Sequence, residues 1–329
     1  MDSSIYLDVE RDIFQKYPLS TFIYLIGARG IGKTYSALKY GLNHKFMFLR
    51  RTQTEVEKVT LDYTQPYKKL NDNGECNVSI NYISKLGFGT FANEDKQIGY
   101  IASLSTFSGL RGIDFSDVEV IIFDEFIPEP NKPFLKGEYT LFKNVYETIN
   151  RNRELEGKKA VKCLLMSNAT TMRSPILIGD DLVVELQEMI LNDISYMEVD
   201  NKLLAMPIMD KFVELKGQTE LYKYDKGEFS KHALLNEFTN DSFFHVERKN
   251  LKEFTPFVSI DDIYIYRHKS NSTMYACRSK ANCPKFNLKD SKPLFMALYG
   301  TSINMCLINQ QMFFYDYQIK IVLSDLFKI

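Results

Sequence analysis

The sequence predicts an α/β protein with a central parallel sheet, followed by a smaller α+β domain. Short apolar runs alternate with segments of helical composition through the first 200 residues, which is typical of parallel strands joined by crossover helices. A glycine-rich loop follows the first apolar run, and beyond about residue 200 the chain becomes richer in Phe and Tyr. With 329 residues, the chain is long enough for two domains that each bury a core.

The chain is expected to open in the order β-α-β-α. Thr21–Ile26 predicts a buried strand, Tyr35–Tyr40 a helix and Lys45–Arg50 a second strand, and the stretch from Gln53 is again helix-like. Residues 77–105 then alternate between apolar and polar positions with a period of two, and glycine-containing turns interrupt them. This pattern predicts an antiparallel insert.

Two further buried strands are predicted at Val118–Phe123 and Val161–Met166, with a helix at Tyr139–Arg153 between them. The segment Asp180–Asn201 is helix-like and apolar, so the domain boundary does not fall in a flexible linker. We place that boundary at about residue 205, which gives domains 1–205 and 206–329.

In the second domain, strands are predicted at Phe243–Val246, at Asp262–Tyr266 and near Met312–Tyr317. Arg267–Lys292 holds seven basic residues against one acidic residue. This segment is interpreted either as a contact surface for phosphate backbones or as a solvated basic face. Asp261 and Asp262 suggest a metal-dependent nuclease, but no third spaced carboxylate accompanies them, so surface acids are the better interpretation.

Composition limits the function classes. The 41 Lys and Arg residues nearly balance the 42 Asp and Glu residues, so bulk charge does not indicate a polybasic binder. The five cysteines contain no CxxC pair, and we expect reduced thiols. The longest apolar runs are far shorter than the roughly 20 residues of a membrane helix, and no apolar leader follows Met1. A cytoplasmic protein without a membrane partner is expected.

A phosphate-binding pattern lies between the first predicted strand and helix. Residues 27–34 match G-x-x-x-x-G-K-[ST], the Walker A pattern. Backbone N–H groups of such a loop surround phosphates, the Lys reaches the β and γ phosphates and the Thr hydroxyl ligates Mg²⁺. The predicted nucleotide-binding residues are Gly27, Ala28, Arg29, Gly30, Ile31, Gly32, Lys33 and Thr34.

Two carboxylates end the predicted strand Val118–Phe123, as a Walker B element requires. Asp124 is expected to hold Mg²⁺ together with Thr34, and Glu125 to polarise an attacking water. That role would distinguish a hydrolase from a P-loop kinase. The alternative is a pair of acidic residues that simply end a strand.

Other polar residues are weaker candidates. Asn168 follows the strand Val161–Met166 and would sense the γ-phosphate, or it is an ordinary turn residue. Arg151 and Arg153 would stabilise a phosphoryl-transfer transition state, in trans if the protein is oligomeric, or they are solvated arginines at a helix end. The sequence also offers three lesser candidates for phosphate contact, namely Arg29, Arg50 and Arg51.

Taken together, Gly27–Thr34, Ile122–Ile127, Arg151–Glu154 and Ser167–Ala169 resemble the DNA-packaging ATPases of phi29-like phages. The order and spacing agree over roughly residues 20–170, and Gln311–Lys328 resembles the C-terminal end of the family more loosely. The resemblance implies an additional-strand, catalytic-glutamate (ASCE) P-loop ATPase that uses ATP and Mg²⁺. It also implies a ring, typically a pentamer, at the portal vertex of a prohead in the host cytoplasm, driving double-stranded DNA inward.

Carried over by position, the resemblance makes Glu125 the catalytic glutamate and Arg151 the trans-acting finger, with Arg153 as the alternate. It implies a C-terminal domain resembling an RNase H-like nuclease without its carboxylates, which binds a structural RNA or the portal connector. Leu104–Gly112 is also reminiscent of terminase large subunits, so a terminase with an active nuclease is one alternative. A nucleotide switch or scaffold without sustained turnover is the other.

Overall fold

The computed structural model describes residues 5–129, 132–224 and 243–328, together with Gly227, Leu234, Phe238 and Asp241. The chain divides into two compact units. Unit 1 comprises Met1–Asp180 and Glu188–Asp241, and unit 2 comprises Asp181–Gln187 and Ser242–Ile329. Within the described part of the chain, none of the helices has both the length and the apolar character needed to cross a bilayer.

Unit 1 is built on a nine-stranded sheet with the order β3-β4-β5-β2-β6-β7-β1-β9-β8. Six neighbouring strands of this sheet, in the order β5-β2-β6-β7-β1-β9, are parallel to one another. Antiparallel pairs flank them on both sides. The predicted mixed α/β class with a parallel sheet is therefore confirmed. The strands are β1 Phe22–Ile26, β2 Phe46–Arg50, β3 Val78–Ile83, β4 Phe88–Asn93, β5 Lys96–Ser103, β6 Val120–Asp124, β7 Lys162–Ser167, β8 Tyr196–Val199 and β9 Lys202–Ala205.

Helices cover the faces of this sheet and explain the continuous apolar runs in its strands. All five residues of β1 and all five of β2 are buried, as expected of parallel strands enclosed on both faces. The sequence runs predicted for both strands agree with the structure to within one residue. The α-helices of unit 1 are α1 Lys33–Gly41, α2 Gln53–Val59, α3 Lys68–Asp72, α4 Glu138–Asn150, α5 Pro175–Gly179, α7 Asp210–Gly217 and α8 Glu220–Tyr224. Helix α6, Val183–Leu191, begins in unit 2 and ends in unit 1.

The parallel core aligns the carboxyl ends of β1, β6 and β7 at one edge of the sheet. β7 lies between the other two, with Ile26 opposite Ser167 and Asp124 opposite Met166. The residues that follow these three strands therefore lie beside one another, although they are remote in sequence. The predicted antiparallel insert is also present, because β3, β4 and β5 form a meander that joins β2 through β5.

The region around the predicted domain boundary differs from the expectation. Only Val183–Leu191 of the helix-like segment is helical, and Tyr196–Val199 forms a strand that pairs with Lys202–Ala205. The second of these strands pairs with β1 in parallel, so it completes the main sheet. After β9, Phe212 of α7 packs in the core of unit 1.

Unit 2 has its own five-stranded sheet, with the order β13-β10-β11-β12-β14. β10 to β12 form an antiparallel meander, and β13 and β14 lie parallel to its two outer strands. The predicted strand Phe243–Val246 is wrong, because only Val246 makes an isolated bridge, to Phe314. The elements are β10 Phe254–Ile260, β11 Ile263–His268, β12 Met274–Cys277, β13 Lys285–Phe286, β14 Met312–Phe314, α9 Lys292–Phe295, α10 Thr301–Ile308 and α11 Tyr317–Phe327.

Candidate functional site

The loop between β1 and α1 makes a tight turn that depends on glycine. Gly30 and Gly32 have φ angles of +86° and +99°, a region that residues with a side chain rarely adopt. A Cβ atom at Gly27 would lie 2.8 Å from the Ile31 side chain. The N-terminal segment supports the loop, because the Leu7 N–H donates to the Ile31 carbonyl. The loop backbone is thus close to the helix N-terminus, where anions bind favourably.

Lys33 is the first residue of α1, and its side chain folds back over the loop. The ammonium donates to the carbonyls of Gly27 and Ala28, at 2.7 Å and 2.9 Å, and to Asn168 Oδ1 at 3.2 Å. Burial lowers the pKa of Lys33 to about 8, although the nearby Asp124 carboxylate opposes that change. This cation therefore changes charge slightly above neutral pH.

Thr34 and Asp124 lie side by side at the carboxyl edge. The Thr34 hydroxyl donates to Asp124 Oδ1 at 3.4 Å, which joins the start of α1 to the end of β6. A hydroxyl and a carboxylate are both hard oxygen ligands of the kind that Mg²⁺ prefers. The donor set therefore fits Mg²⁺, as the sequence motifs predict.

Glu125 leaves β6 in a left-handed conformation. Its φ is +56°, which is uncommon for a residue with a long side chain. Its side chain is 37% exposed, whereas that of Asp124 is 14% exposed. The turn therefore presents the two consecutive carboxylates to the same cation, Arg50.

Arg50 bridges those carboxylates, which the sequence did not indicate. Its Nη1 atom donates to Asp124 Oδ2 at 2.8 Å, and its Nη2 atom donates to Glu125 Oε2 at 2.6 Å. Arg50 was a lesser candidate for phosphate contact, and in the structure it makes these two ion pairs instead. Its neighbour Arg51, the other such candidate, is 1% exposed and pairs with Glu138.

Arg151 lies away from this edge. It follows α4, and its side chain donates to the carbonyls of Ile113 and Thr148, at 2.9 Å and 3.2 Å. Ile113 precedes β6, so Arg151 is near the amino ends of the strands, and Arg153 likewise donates to the Ser116 carbonyl. The structure brings Lys33, Thr34, Asp124, Glu125 and Asn168 together and leaves both arginines at the opposite edge.

A cavity of about 400 Å³ lies over the loop at the carboxyl edge. Arg29 borders it and pairs with Glu129 at 3.1 Å, while Lys216 donates to the Arg29 carbonyl. Three lining residues, Tyr35, Lys69 and Glu129, were not predicted, because none of them belongs to a sequence motif. Only tertiary packing brings Lys69 of α3 to the loop. The lining residues are Arg29, Gly30, Gly32, Lys33, Thr34, Tyr35, Lys69, Asp124, Glu125, Glu129, Ser167 and Asn168.

In unit 2, the basic segment does not form one uniform surface. Arg278 pairs with Asp262 at 2.8 Å and with Asp316 at 2.9 Å, near the start of β11. Arg267 lies near the other end of β11, where its guanidinium stacks on the Phe257 ring at 3.5 Å. Within the described ranges, His, Cys, Asp and Glu side chains form no cluster of three or more that could hold a metal ion.

Comparisons with known proteins cover nearly the whole chain. The family model for the Podovirus DNA encapsidation protein (Gp16) matches residues 1–285. The DNA packaging proteins of Bacillus phages PZA and phi29 are each 26% identical over 258 residues, which represent 76% of this chain and 71% of theirs.

Solved structures show the same fold. A chain of the bacteriophage Phi-29 viral genome packaging motor assembly aligns with a TM-score of 0.67 and 18% identity, over 98% of this chain and 99% of that one. A chain of the Phi-28 gp11 DNA packaging motor aligns with a TM-score of 0.61 and 16% identity, over 99% of both chains.

Proposed function

Because the chain belongs to the Podovirus DNA encapsidation protein (Gp16) family, we propose that it is an ATPase that drives double-stranded viral DNA into a preformed prohead. In this proposal it works as a subunit of a homo-oligomeric ring, the pentamer that the resemblance implies, at the portal vertex in the host cytoplasm. Its relatives are named as DNA packaging proteins, and its fold matches chains of packaging motors.

The convergence at the carboxyl edge of the sheet is the observation that carries the proposal. Lys33, Thr34, Asp124, Glu125 and Asn168 come from three separate segments and meet around one cavity. The strand that carries Asn168 lies between the strand before the loop and the strand that ends in Asp124. This order supports an ASCE-type P-loop ATPase.

Loop residues 27–34 hold the triphosphate in this proposal. Lys33 already makes three hydrogen bonds to acceptors of the loop and of Asn168, and it would exchange some of them for phosphate oxygens. Thr34 and Asp124 would hold Mg²⁺, which neutralises charge on the β and γ phosphates when it is bound. Asn168 would contact the γ-phosphate from the neighbouring strand.

Glu125 acts as the general base that orients the attacking water. In the structure its carboxylate is held by Arg50, so that ion pair must loosen before Glu125 can accept a proton. Arg50 also holds Asp124, so binding of Mg²⁺ at Asp124 would compete with the same guanidinium. Both carboxylates would thus be released together when Mg²⁺ and nucleotide bind.

Arg151 serves a neighbouring subunit in the ring. Its position at the amino edge separates it from the cavity of its own chain, and its side chain is 46% exposed. A planar guanidinium from a neighbour would stabilise the charge that develops during phosphoryl transfer. Arg153, whose side chain is bonded to the Ser116 carbonyl, is the alternate.

DNA contacts in this proposal are made with the phosphate backbone, because a motor must move over any sequence. The ATPase domain in this proposal is 1–205, and unit 1 contains these residues except Asp181–Gln187. The C-terminal domain, expected at 206–329, would be a vestigial RNase H-like module that binds a structural RNA, the portal connector or DNA. Its exposed Lys280, Lys285 and Lys289 favour a nucleic-acid partner.

Two alternatives make different predictions. A terminase large subunit would also cut DNA with a metal-dependent nuclease. Of the acidic pair Asp261 and Asp262, which the sequence offers for such a site, Asp262 forms an ion pair with Arg278. A nucleotide switch or scaffold would bind ATP without sustained turnover, and the position of Glu125 beside Asp124 favours hydrolysis instead.

The test is steady-state ATP hydrolysis by the full-length protein, with and without double-stranded DNA and proheads. Glu125→Gln should lower DNA-stimulated turnover by about 10²-fold to 10⁴-fold, the usual contribution of a general base. The matched control is Glu156→Gln, which makes the same change at an exposed carboxylate paired with Lys158. The DNA is examined on a gel afterwards.

Each outcome separates the candidates. Stimulated turnover that Glu125→Gln abolishes, with intact DNA and DNA protected inside proheads, supports the packaging motor. ATP binding without turnover by the wild type would favour the switch. Metal-dependent cutting of the DNA would favour the terminase.

A further inference from the structure

The cavity extends beyond the residues that the proposed phosphate chemistry uses. Lys33 and Thr34 serve the phosphates and Mg²⁺, whereas Tyr35, the next residue of α1, and Lys69 of α3 also line the cavity without an assigned role. At about 400 Å³ the cavity falls within the range of small-molecule and cofactor sites. A nucleotide bound through its phosphates therefore has space for its base within the same cavity.

The Tyr35 ring is fixed in position although its side chain is only half-buried. Its hydroxyl donates to the Glu75 carboxylate, and the Asn73 amide donates to that hydroxyl at 3.5 Å. The same carboxylate pairs with Lys39 at 3.0 Å. The hydrogen bonds from Tyr35 and Lys39 lower the pKa of Glu75 to about 2, so the acceptor stays ionised over the working pH range. A ring held in this way can stack on a base with little loss of conformational freedom.

Lys69 places a cation over the face of that ring. Its ammonium lies 5.4 Å from the centroid of Tyr35, and the side chain is exposed. The adjacent Lys68 differs, because it pairs with Asp72 at 3.0 Å on the same short helix. A base that stacks on this face would displace the ammonium, which would then meet a negatively charged group between the loop and the Tyr35 ring.

We propose that Tyr35 stacks on the base of the bound nucleotide and that Lys69 contacts its α-phosphate. This inference rests on the proposed function, because it assumes that a nucleotide binds in the cavity with its terminal phosphates at Lys33 and Thr34. Its α-phosphate and base would then extend towards Lys69 and Tyr35. Aromatic stacking accepts any base, so the site favours purines for their larger rings and discriminates little between ATP and GTP.

The experiment measures binding of ATP, GTP and inorganic tripolyphosphate to the full-length protein by calorimetry in the presence of Mg²⁺. Tyr35→Leu should raise the Kd for ATP and for GTP about tenfold, which corresponds to the loss of one base–aromatic stack, and leave the Kd for tripolyphosphate unchanged. Tyr35→Phe keeps the ring and should bind ATP within about twofold of the wild type.

Lys69 is tested in the same assay. Lys69→Gln should raise the Kd about fivefold for ATP and for tripolyphosphate alike, because each ligand loses one exposed charge contact. Lys68→Gln is the matched control, since it removes an equal charge from the neighbouring position, and it should change neither Kd.

The failures of the two proposals are distinguishable. A wild type that binds neither ATP nor tripolyphosphate would overturn the proposed function and this inference with it. Wild-type ATP binding that Tyr35→Leu leaves unchanged would overturn the inference alone. So would equal losses of ATP and tripolyphosphate in Tyr35→Leu, because the ring would then support the loop rather than the base.

Discussion

The charged residues at the two edges of the parallel sheet differ in their partners. At the carboxyl edge, Arg50 pairs with both Asp124 and Glu125, and Lys33 is buried against the loop. At the amino edge, Arg151 is held by two carbonyls and lies 3.8 Å from the exposed Asp114. At the carboxyl edge a ligand must compete with ion pairs that already engage both carboxylates. At the amino edge the Arg151 guanidinium is exposed enough to contact a neighbouring subunit.

A left-handed residue marks the chain at each edge. Glu125 has a φ of +56° where β6 ends, and Arg151 has a φ of +47° where α4 ends. Non-glycine residues in this region cost roughly 1–3 kcal/mol each and are enriched at functional sites. The same segment of chain, from β6 through α4, therefore connects one strained residue at the cavity with another at the opposite edge.

The largest expected effect comes from removing the Arg151 guanidinium at the amino edge. Arg151→Ala should lower DNA-stimulated ATP turnover by about 10³-fold, within the range for a trans-acting arginine. Since the variant keeps its own carboxyl edge intact, mixing it with Glu125→Gln chains should restore part of the activity, because some interfaces would then combine a native glutamate with a native arginine. Turnover is measured against the mixing ratio.

Arg153→Ala is the control for that experiment, because its side chain is also bonded to a carbonyl of the loop before β6. It should retain most of the wild-type turnover. If Arg153→Ala is the variant that loses activity and is rescued by mixing, the alternate arginine is the finger. An Arg151→Ala defect that no mixture rescues would contradict a trans role.

The next effect concerns the buried cation of the carboxyl edge. With a pKa of about 8, Lys33 is mostly charged at pH 7 and mostly neutral at pH 9 in the free protein. Phosphate binding requires the cation, so the affinity for tripolyphosphate should fall about tenfold between these two pH values. Titrations at several pH values measure this change.

Lys33→Arg sharpens the interpretation, because a guanidinium stays charged throughout this range. Its affinity should vary little between pH 7 and pH 9, whatever its absolute value. The effect of pH on stability has the opposite sign to its effect on binding. Desolvation lowers the pKa of Lys33 in the native state below its value in the unfolded chain. Lys33 therefore lowers the free energy of unfolding below pH 8, and this destabilisation decreases as the pH rises above 8. A wild-type affinity that is flat up to pH 9 would contradict the buried, shifted Lys33.

The two edges also differ in how far the sequence predicted them. The loop of residues 27–34, Asp124, Glu125 and Asn168 could be predicted because short apolar strands fix which residues follow their carboxyl ends. The strand at Tyr196–Val199 could not, because its apolar pattern also fits a helix and only pairing with Lys202–Ala205 decides between them. The ion pairs of Arg50 were equally hidden, since the spacing of 74 residues to Asp124 carries no local signal.

The smallest effect tests whether the ion pairs of Arg50 with Asp124 and Glu125 oppose the binding of Mg²⁺. Arg50→Gln removes the cation that occupies one oxygen of Asp124 and one of Glu125. Magnesium would then meet a more negative site without a competing guanidinium, so the Mg²⁺ concentration for half-maximal nucleotide binding should fall about fivefold. Lys68→Gln, which removes one charge from an exposed pair on α3, controls for net charge and should leave this concentration unchanged. A Mg²⁺ requirement that is equal in Arg50→Gln and in the wild type would mean that the ion pairs do not oppose metal binding, and the two edges would then differ only in geometry.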